Sequence, residues 1–144
     1  MNIIYTAGYM RVPLEGIRDL AESKDAVVID VRLVAQSRKP QFNRGRLLAY
    51  FGEARYKWVR DFGNVNYKNG GDIMLQDFEA GLETVRPIFD ADQPVILLCA
   101  CANLAVCHRK IVAERLSIAV EARVQHIHSI ATGQQNLFGG PFNV

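Results

Sequence analysis

The sequence has few cysteines, few prolines and no long apolar run. Only three of its 144 residues are Cys and five are Pro, which excludes a disulfide framework and a collagen-like chain. Its longest apolar stretch, Val95–Ala102, is far shorter than the ~20 residues that a membrane helix needs. The first residues also lack the basic flank of a signal peptide. These absences predict a cytoplasmic protein with reduced thiols and no membrane partner.

Length and composition predict one globular domain. Apolar residues make up 49% of the chain, enough to bury a core without disulfides or metals. No repeat, linker or low-complexity tract divides the sequence. We expect a single α/β domain over residues 1–128, followed by a glycine-containing tail over residues 129–144 that packs on the domain or extends from it.

The basic residues are unevenly distributed. Residues 32–61 contain eight Lys or Arg against two Asp or Glu, a net charge of +6, so the rest of the chain carries −4 of the total of +2. Such an imbalance favours a surface that binds phosphates or another anion. A solvated helix face with scattered arginines is the alternative.

Short apolar runs alternate with helical patterns along the chain, which is typical of a parallel α/β sheet. We predict a three-layer sandwich around a five-stranded, mainly parallel sheet of Rossmann-like or flavodoxin-like type. The predicted strands are residues 3–6, 26–31, 56–59, 94–99 and 123–127. The predicted helices follow Pro13 and Asn43 and begin near Leu75 and Cys107. We expect Pro87 to kink or end the third helix and residues 64–72 to form a flexible, exposed loop.

Sites in open α/β sheets lie beyond the carboxyl ends of the strands, and three segments place reactive or anion-binding residues at that edge. Thr6 and Gly8 follow the first strand, and Asp30, Arg32, Ser37, Arg38 and Asn43 follow the second. Cys99 and Cys101 end the fourth strand, and Cys107, His108 and Arg109 come next. We therefore predict a pocket for a small anionic, phosphate-bearing substrate, with the anion held by Arg32, Arg38 and Arg109.

Cys107 is the sharpest candidate for catalysis. A helix N-terminus and a neighbouring arginine lower the pKa of a thiol, which makes Cys107, or Cys99, a candidate nucleophile. His108 is then the acid or base, and Arg109 is suited to an oxyanion. The alternative is a cysteine that packs the helix against the sheet, since free cysteine is often buried.

The cysteines also suggest two other kinds of site, a metal centre and an anion-binding cysteine loop. Cys99, Cys101 and Cys107 with His126 or His128 offer ligands for zinc or iron, but no Cys-x-x-Cys pair is present, and no cofactor is required by the sequence. A phosphatase-like or sulfurtransferase-like loop needs an arginine at a fixed step after its cysteine and a glycine that lets the backbone wrap the anion. Neither feature is found here, so a phosphatase-like or sulfurtransferase-like site is only an alternative to the anion pocket.

Several motifs together resemble one family. They are Ile4–Tyr9, Val28–Arg32, Ser37–Asn43, Phe62–Asn64 and Leu97–Cys99 with Cys107–Arg109. In this order they look like the domain of unknown function 488 family, over most of the chain to about His128. The resemblance implies a small cytoplasmic α/β domain and no specific function. Its shared positions fall here on Thr6, Gly8, Asp30, Arg32, Ser37, Arg38, Phe42, Asn43, Gly63, Cys99, Cys107, His108 and Arg109. The family's usual acidic residue is Cys101 in this chain.

Two other kinds of partner are compatible with the sequence. Phe42, Tyr50, Phe51, Tyr56 and Trp58 are interleaved with the basic residues of 32–61, a pattern suited to stacking bases while arginines meet phosphates. Helix and strand cores need aromatic residues at similar spacing. In the tail, Gln134–Phe138 resembles the short peptides that dock on a bacterial replication sliding clamp. Symmetric dimers are the commonest oligomers of small proteins, which favours a homodimer.

Overall fold

The structure is a computed structural model that describes residues 2–101 and 103–128. Its strands are β1 (Asn2–Gly8), β2 (Val27–Asp30), β3 (Tyr56–Trp58), β4 (Val95–Cys99) and β5 (Ala122–Ile127). Its α-helices are α1 (Leu14–Lys24), α2 (Arg44–Phe51), α3 (Phe78–Asp90) and α4 (His108–Val120). Short 3₁₀ turns cover Pro40–Phe42, Arg60–Phe62 and Leu104–Val106.

The five strands form one sheet in the order β3-β2-β4-β1-β5, and every pair of neighbours is parallel. Apolar side chains of α1 and α2 pack on one face of the sheet, and those of α3 and α4 pack on the other. Alternate residues of β4 point to the two faces, Ile96 and Leu98 to the first and Val95 and Leu97 to the second. The predicted three-layer α/β architecture is confirmed, with a sheet that is parallel throughout the described residues.

Helix α1 shows how the sequence specifies its own boundaries. Pro13 precedes its first residue, and Asp25 ends it in the left-handed conformation with φ 52°. Proline at the start and a left-handed residue after the end are common helix limits. Ile17, Leu20 and Ala21 share the buried face, as expected from their spacing.

Helix α3 departs from the prediction. It begins at Phe78, where the Asp77 side chain accepts a hydrogen bond from the Ala80 N–H (3.1 Å), a typical N-cap. Pro87, which was expected to kink or end the helix, does not end it, because α3 continues to Asp90. Ile88 and Phe89 lie in the core beyond the exposed Pro87. Burial of this last turn stabilises a helix that proline alone would end.

The loop of residues 64–72, predicted to be flexible, is held at its base. The Asn64 carboxamide oxygen accepts hydrogen bonds from the N–H groups of Asn66 (3.0 Å) and Met74 (3.1 Å). Asn64 also forms an isolated antiparallel bridge with Leu75. Only residues 67–72 are exposed as predicted. The loop therefore has a fixed position near the carboxyl edge of the sheet.

The predicted tail, including Gln134–Phe138, lies outside the described residues. Among residues 2–101 and 103–128, no helix has the length and apolar character needed to cross a membrane.

Strand β4 lies between β1 and β2, and the chain leaves these strands in different directions. After β1 and β2 it passes to helices on one face, whereas after β4 it passes to α4 on the opposite face. Such a divergence opens a crevice at the carboxyl ends of the strands. The fold therefore places a site beside the last residues of β1, β2 and β4.

Candidate functional site

A cleft of about 300 Å³ occupies this crevice. Its walls come from the loops after β1, β2 and β4, from the first turn of α4 and from the loop that follows Gly63. The lining residues are Tyr9, Arg32, Leu33, Val34, Gln36, Asn64, Tyr67, Ala100, Cys101, Val106 and His108. Its size is at the lower end of the range for small-molecule pockets, which suits a small ligand.

Three cysteines meet at the base of the cleft. Cys99 ends β4, and Cys107 is the residue immediately before α4. Their Sγ atoms are 2.7 Å apart, and the Cys101 sulfur lies within 4.8 Å of both. Cys99 and Cys107 are each only 1% exposed, whereas Cys101 is half-buried and lines the cleft. Of the three cysteines, only Cys101 is among the residues that line the cleft.

Local backbone geometry positions Cys107. It is the N-cap residue of α4, with extended φ and ψ of −97° and 134°, and its side chain caps no backbone N–H. The unpaired N–H groups at the start of a helix favour a negative charge. The prediction that Cys107 stands at a helix start is confirmed.

Gly8 allows β1 to approach the loop that carries Cys101. A Cβ atom at this position would lie 1.8 Å from the Cys101 carbonyl oxygen and 2.9 Å from Arg109 Nη1. The adjacent backbone is tied to the end of β4, because the Tyr9 N–H donates to the Cys99 carbonyl (2.9 Å). The role of Gly8 is therefore to allow the close approach of β1 to the loop that carries Cys101.

Arg109 is 2% exposed and joins three parts of the site. Its Nε donates to Thr6 Oγ1 (3.3 Å). Its Nη1 donates to the Cys99 sulfur (3.4 Å) and to the Cys101 carbonyl (3.1 Å). The guanidinium is therefore placed to hold the cysteine cluster and to stabilise negative charge on it.

His108 links the cysteines to the end of β2. Its Nε2 is 2.6 Å from the Val31 carbonyl oxygen, and the ring also hydrogen-bonds Cys101 and Cys107. Burial alone would lower its pKa, but the hydrogen bonds to the two cysteines and to Val31 outweigh burial and raise the pKa to about 9. His108 is therefore an imidazolium at neutral pH.

The cysteines differ in their ionisation. Hydrogen bonds with Cys101 and Cys99 lower the pKa of Cys107, and they outweigh burial, which raises it; His108 and the Arg109 N–H lower it further. Burial, followed by the hydrogen bonds to the other cysteines, raises the pKa of Cys99 well above its ordinary value. These opposite shifts favour the thiolate form of Cys107 and the protonated form of Cys99.

Asp30 and Arg32 form a buried ion pair at the wall of the cleft. Arg32 Nε and Nη2 donate to the two Asp30 carboxylate oxygens (2.8 and 2.6 Å). The Tyr56 hydroxyl also donates to Asp30 (2.6 Å), and Arg32 Nη1 donates to the Tyr9 hydroxyl (3.3 Å). The pair raises the pKa of Arg32 despite burial. The guanidinium faces the cleft, yet its charge is neutralised by Asp30.

Charge in and around the cleft is nevertheless positive. Asp30 and the Cys107 thiolate are balanced by Arg32 and Arg109, and protonated His108 adds one positive charge. Because His108 and Arg32 line the cleft, an anion there meets the net positive charge of this group of residues in a partly buried environment.

Three residues of the predicted anion site are placed elsewhere. Arg38 is exposed and is not among the residues that line the cleft. Ser37 and Asn43 organise the loop before α2, since the Ser37 N–H donates to the Asn43 carboxamide oxygen (2.7 Å). Asn43 instead lines a neighbouring pocket of about 360 Å³ with Arg44 and Trp58. The structure brings together Thr6, Gly8, Asp30, Arg32, Cys99, Cys101, Cys107, His108 and Arg109.

His126, a predicted metal ligand, is engaged by another residue. Its Nδ1 lies 2.7 Å from Thr6 Oγ1. Burial, followed by the nearby charge of Arg109, lowers its pKa. Among the described residues, Cys99, Cys101 and Cys107 form the group with metal-ligand spacing. His126 is not part of that group.

Two of the five aromatic residues of segment 32–61, Phe42 and Tyr56, are buried, and Tyr50, Phe51 and Trp58 are half-buried. Phe42 stacks on Tyr9 with ring centroids 4.1 Å apart, and Tyr56 donates a hydrogen bond to Asp30. Arg44 lies over the Trp58 ring, 5.1 Å from its centre. None of the five aromatic side chains is fully exposed for stacking on a base.

Sequence reasoning missed several residues that shape the cleft. Tyr9 and Tyr56 fix the Asp30–Arg32 pair through their hydroxyls, and Gln36, Asn64 and Tyr67 form part of the wall. The position of Tyr9 after the first strand was an available signal. No local pattern distinguishes the others.

The charges of Cys107 and His108 depend on each other, which predicts a specific titration. The pKa of His108 is raised from 6.5 to about 9, so its contribution to stability is complete below pH 6.5 and is lost as pH rises through about 9. The contribution of Cys107, whose pKa is lowered from 9.0, is present above pH 9.0 and is lost as pH falls through its folded value. Folding transfers a proton from thiol to imidazole, so the two opposite pH dependences cancel between pH 6.5 and 9.

We expect an NMR titration of imidazole resonances to place the pKa of His108 near 9 and to show a clear decrease in Cys107→Ser, which removes the thiolate. His126 is the internal control and should titrate below 6.5 in both proteins. An unchanged His108 titration in Cys107→Ser would show that the ion pair is absent.

No family model, curated protein or solved structure matches the chain, so its function is inferred from the geometry of this site.

Proposed function

We propose that the protein is a thiol-dependent enzyme in which Cys107 attacks a small anionic substrate bound in the cleft. The observation that carries this proposal is the grouping of three sulfurs, an imidazolium and a guanidinium at the base of a cleft beside β4. Thiolates are the reactive form of cysteine, and a helix N-terminus or a neighbouring cation favours them by lowering the pKa of the thiol.

Each residue has a distinct role in this proposal. Cys107 is the nucleophile, held as a thiolate by hydrogen bonds from Cys101 and Cys99 and by His108. His108 faces both the thiolate and the cleft, which suits it to donate a proton to a leaving group. Arg109 is a positioning residue, because its contacts are with Thr6, Cys99 and Cys101.

Substrate binding depends on the rim of the cleft. Val34, Tyr67 and Val106 are exposed apolar side chains on its walls, and His108 adds to the net positive charge. A small molecule with one anionic group and an apolar part fits this combination. Because Cys107 is buried and, of the three cysteines, only Cys101 lines the cleft, access to Cys107 requires side chains around it to move aside.

The proposal is tested by alkylation with iodoacetamide, followed for each cysteine by mass spectrometry. We expect the intrinsic reactivity of Cys107 to change little between about pH 6 and about pH 8, whereas a free thiol with a pKa of about 8.5 becomes many times more reactive over that interval. Inorganic phosphate should slow alkylation by occupying the cleft. His108→Gln should weaken that protection, since it removes the cation.

Unfolded protein gives the reference profile for ordinary thiols, and far-ultraviolet thiolate absorbance measures ionisation without requiring reagent access. A pKa near 8.5 for all three cysteines in the folded protein would contradict the proposed thiolate mechanism. Absence of phosphate protection would contradict the anionic substrate alone.

A further inference from the structure

Cys99 and Cys107 are arranged as a reactive pair. Their sulfurs are 2.7 Å apart, both side chains are free and buried, and they are contributed by the end of β4 and the start of α4. Because the two sulfurs already touch, a bond between them requires only a small adjustment of the side chains.

The two sulfurs are chemically different. Cys107 lies at the N-terminus of α4 beside His108, an environment that favours a negative charge on its sulfur. Cys99 ends β4, and Arg109 Nη1 lies 3.4 Å from its sulfur. One cysteine is therefore poised to attack an electrophile, and the other is poised to displace what becomes attached, with a guanidinium beside it to stabilise developing charge.

We infer that this pair reduces small hydroperoxides by two electrons, with Cys107 as the attacking thiolate and Cys99 as the resolving thiol. The inference rests on the proposed function, because it uses the same thiolate, and it names the class of electrophile. A hydroperoxide is small enough for the cleft, and an anionic or apolar group on it suits the residues that line the walls.

The reaction balances with the groups present. The Cys107 sulfur attacks the terminal oxygen of R–O–O–H, so an S–O bond forms and the O–O bond breaks. The leaving alkoxide takes a proton from His108 and departs as R–O–H, leaving Cys107 as a sulfenic acid. The Cys99 sulfur then attacks the Cys107 sulfur, so an S–S bond forms, the S–O bond breaks, and hydroxide leaves with the Cys99 proton as water. An external dithiol reduces the disulfide and returns protons to Cys99 and His108.

Cys101 has no redox role in this scheme. It lines the cleft and hydrogen-bonds the thiolate, but the shortest sulfur contact joins the other two cysteines. Cys101→Ser removes the third thiol and keeps a hydrogen-bonding side chain of similar size, so a disulfide that forms in this variant must join Cys99 and Cys107.

The test treats reduced protein with one molar equivalent of hydrogen peroxide and maps its peptides without reduction. We expect the peptides of Cys99 and Cys107 to be joined in the wild-type protein and in Cys101→Ser. In Cys99→Ser the reaction should stop at a sulfenic acid on Cys107, trapped by dimedone. In Cys107→Ser peroxide consumption with dithiothreitol should fall at least tenfold.

A Cys101 disulfide in place of the Cys99–Cys107 bond would overturn the inference, as would peroxide reactivity equal to that of free cysteine. Fragmentation of the linked wild-type peptide by tandem mass spectrometry, which assigns the bond to Cys99 or to Cys101, decides this even if a variant fails to fold. If alkylation shows a Cys107 thiolate but peroxide forms no Cys99–Cys107 bond, the redox inference fails and the proposed function stands. An ordinary pKa for Cys107 contradicts both.

Discussion

Replacing Asp30 with asparagine is expected to lower the free energy of unfolding by about 3–5 kcal/mol, the usual cost of leaving a buried charge without its partner. Asp30 is fully buried, and Arg32 is 5% exposed. The carboxylate accepts hydrogen bonds from Nε and Nη2 of Arg32 and from the Tyr56 hydroxyl. Asparagine preserves the shape of the side chain but removes its charge, so Arg32 keeps a buried positive charge that nothing neutralises.

Asp25→Asn is the matched control for this substitution. Asp25 also pairs with an arginine, Arg55, at 2.9 Å, but its side chain is 78% exposed. Exposed pairs contribute less than about 1 kcal/mol. Urea denaturation at constant pH and ionic strength measures both changes as shifts in midpoint. Equal losses in the two variants would show that burial of the Asp30–Arg32 pair has no energetic consequence.

Gly8→Ala is expected to destabilise the protein by about 1–3 kcal/mol, the range for overpacked sites. The added methyl carbon would lie 1.8 Å from the Cys101 carbonyl oxygen, which is backbone and cannot rotate away. Either β1 or the loop after β4 must shift, and Arg109 must move with it because its Nη1 is 2.9 Å from the same point. We therefore expect the variant to lose thiolate absorbance as well as stability.

Gly45→Ala provides a control of opposite sign. Gly45 lies in the first turn of α2 and has no atom within 4 Å of its added Cβ. Alanine in a helix is favoured over glycine by up to about 1 kcal/mol, so this variant should be as stable as the wild type or more stable. Thermal unfolding of the two variants tests the pair. A Gly8→Ala protein with wild-type stability would contradict the close approach of β1 to Cys101.

The hydrophobic pattern predicted the fold because its most apolar runs matched the central buried strands. Val27–Asp30 and Val95–Cys99 are buried at every position, as strands covered on both faces must be. Pro87 was misleading because its local preference is weak beside the burial of Ile88 and Phe89 in the last turn of α3. Such tertiary compensation has no signature in a short window of sequence.

The sequence predicted which residue types meet at the candidate site, but it did not predict which of them pair with each other. Cys99, Cys107, His108 and Arg109 were expected at one edge because they follow one strand, and the structure places them in contact. Arg32 was expected to bind an anion, yet Asp30 already occupies its guanidinium. That outcome depends on where the chain turns after β2 and on Tyr56 from β3. Neither is visible from the spacing of Asp30 and Arg32.

The resemblance to the domain of unknown function 488 family stays a prediction, as do nucleic-acid binding, a homodimer and clamp binding through Gln134–Phe138. The zinc or iron site is also untested. The cluster of Cys99, Cys101 and Cys107 has ligand spacing, and metal binding there would compete with the thiolate chemistry proposed for Cys107.

The central place of β4 in the sheet has a consequence for synthesis on the ribosome. Strands β1 and β2 have no hydrogen-bonded register with each other, and both pair with β4, which is the fourth strand in chain order. A nascent chain that ends before Val95 therefore lacks the segment that joins its two earlier strands. Joining of the two halves of the sheet and assembly of the cysteine cluster therefore both depend on synthesis of Val95–Cys99 and of the residues that follow it.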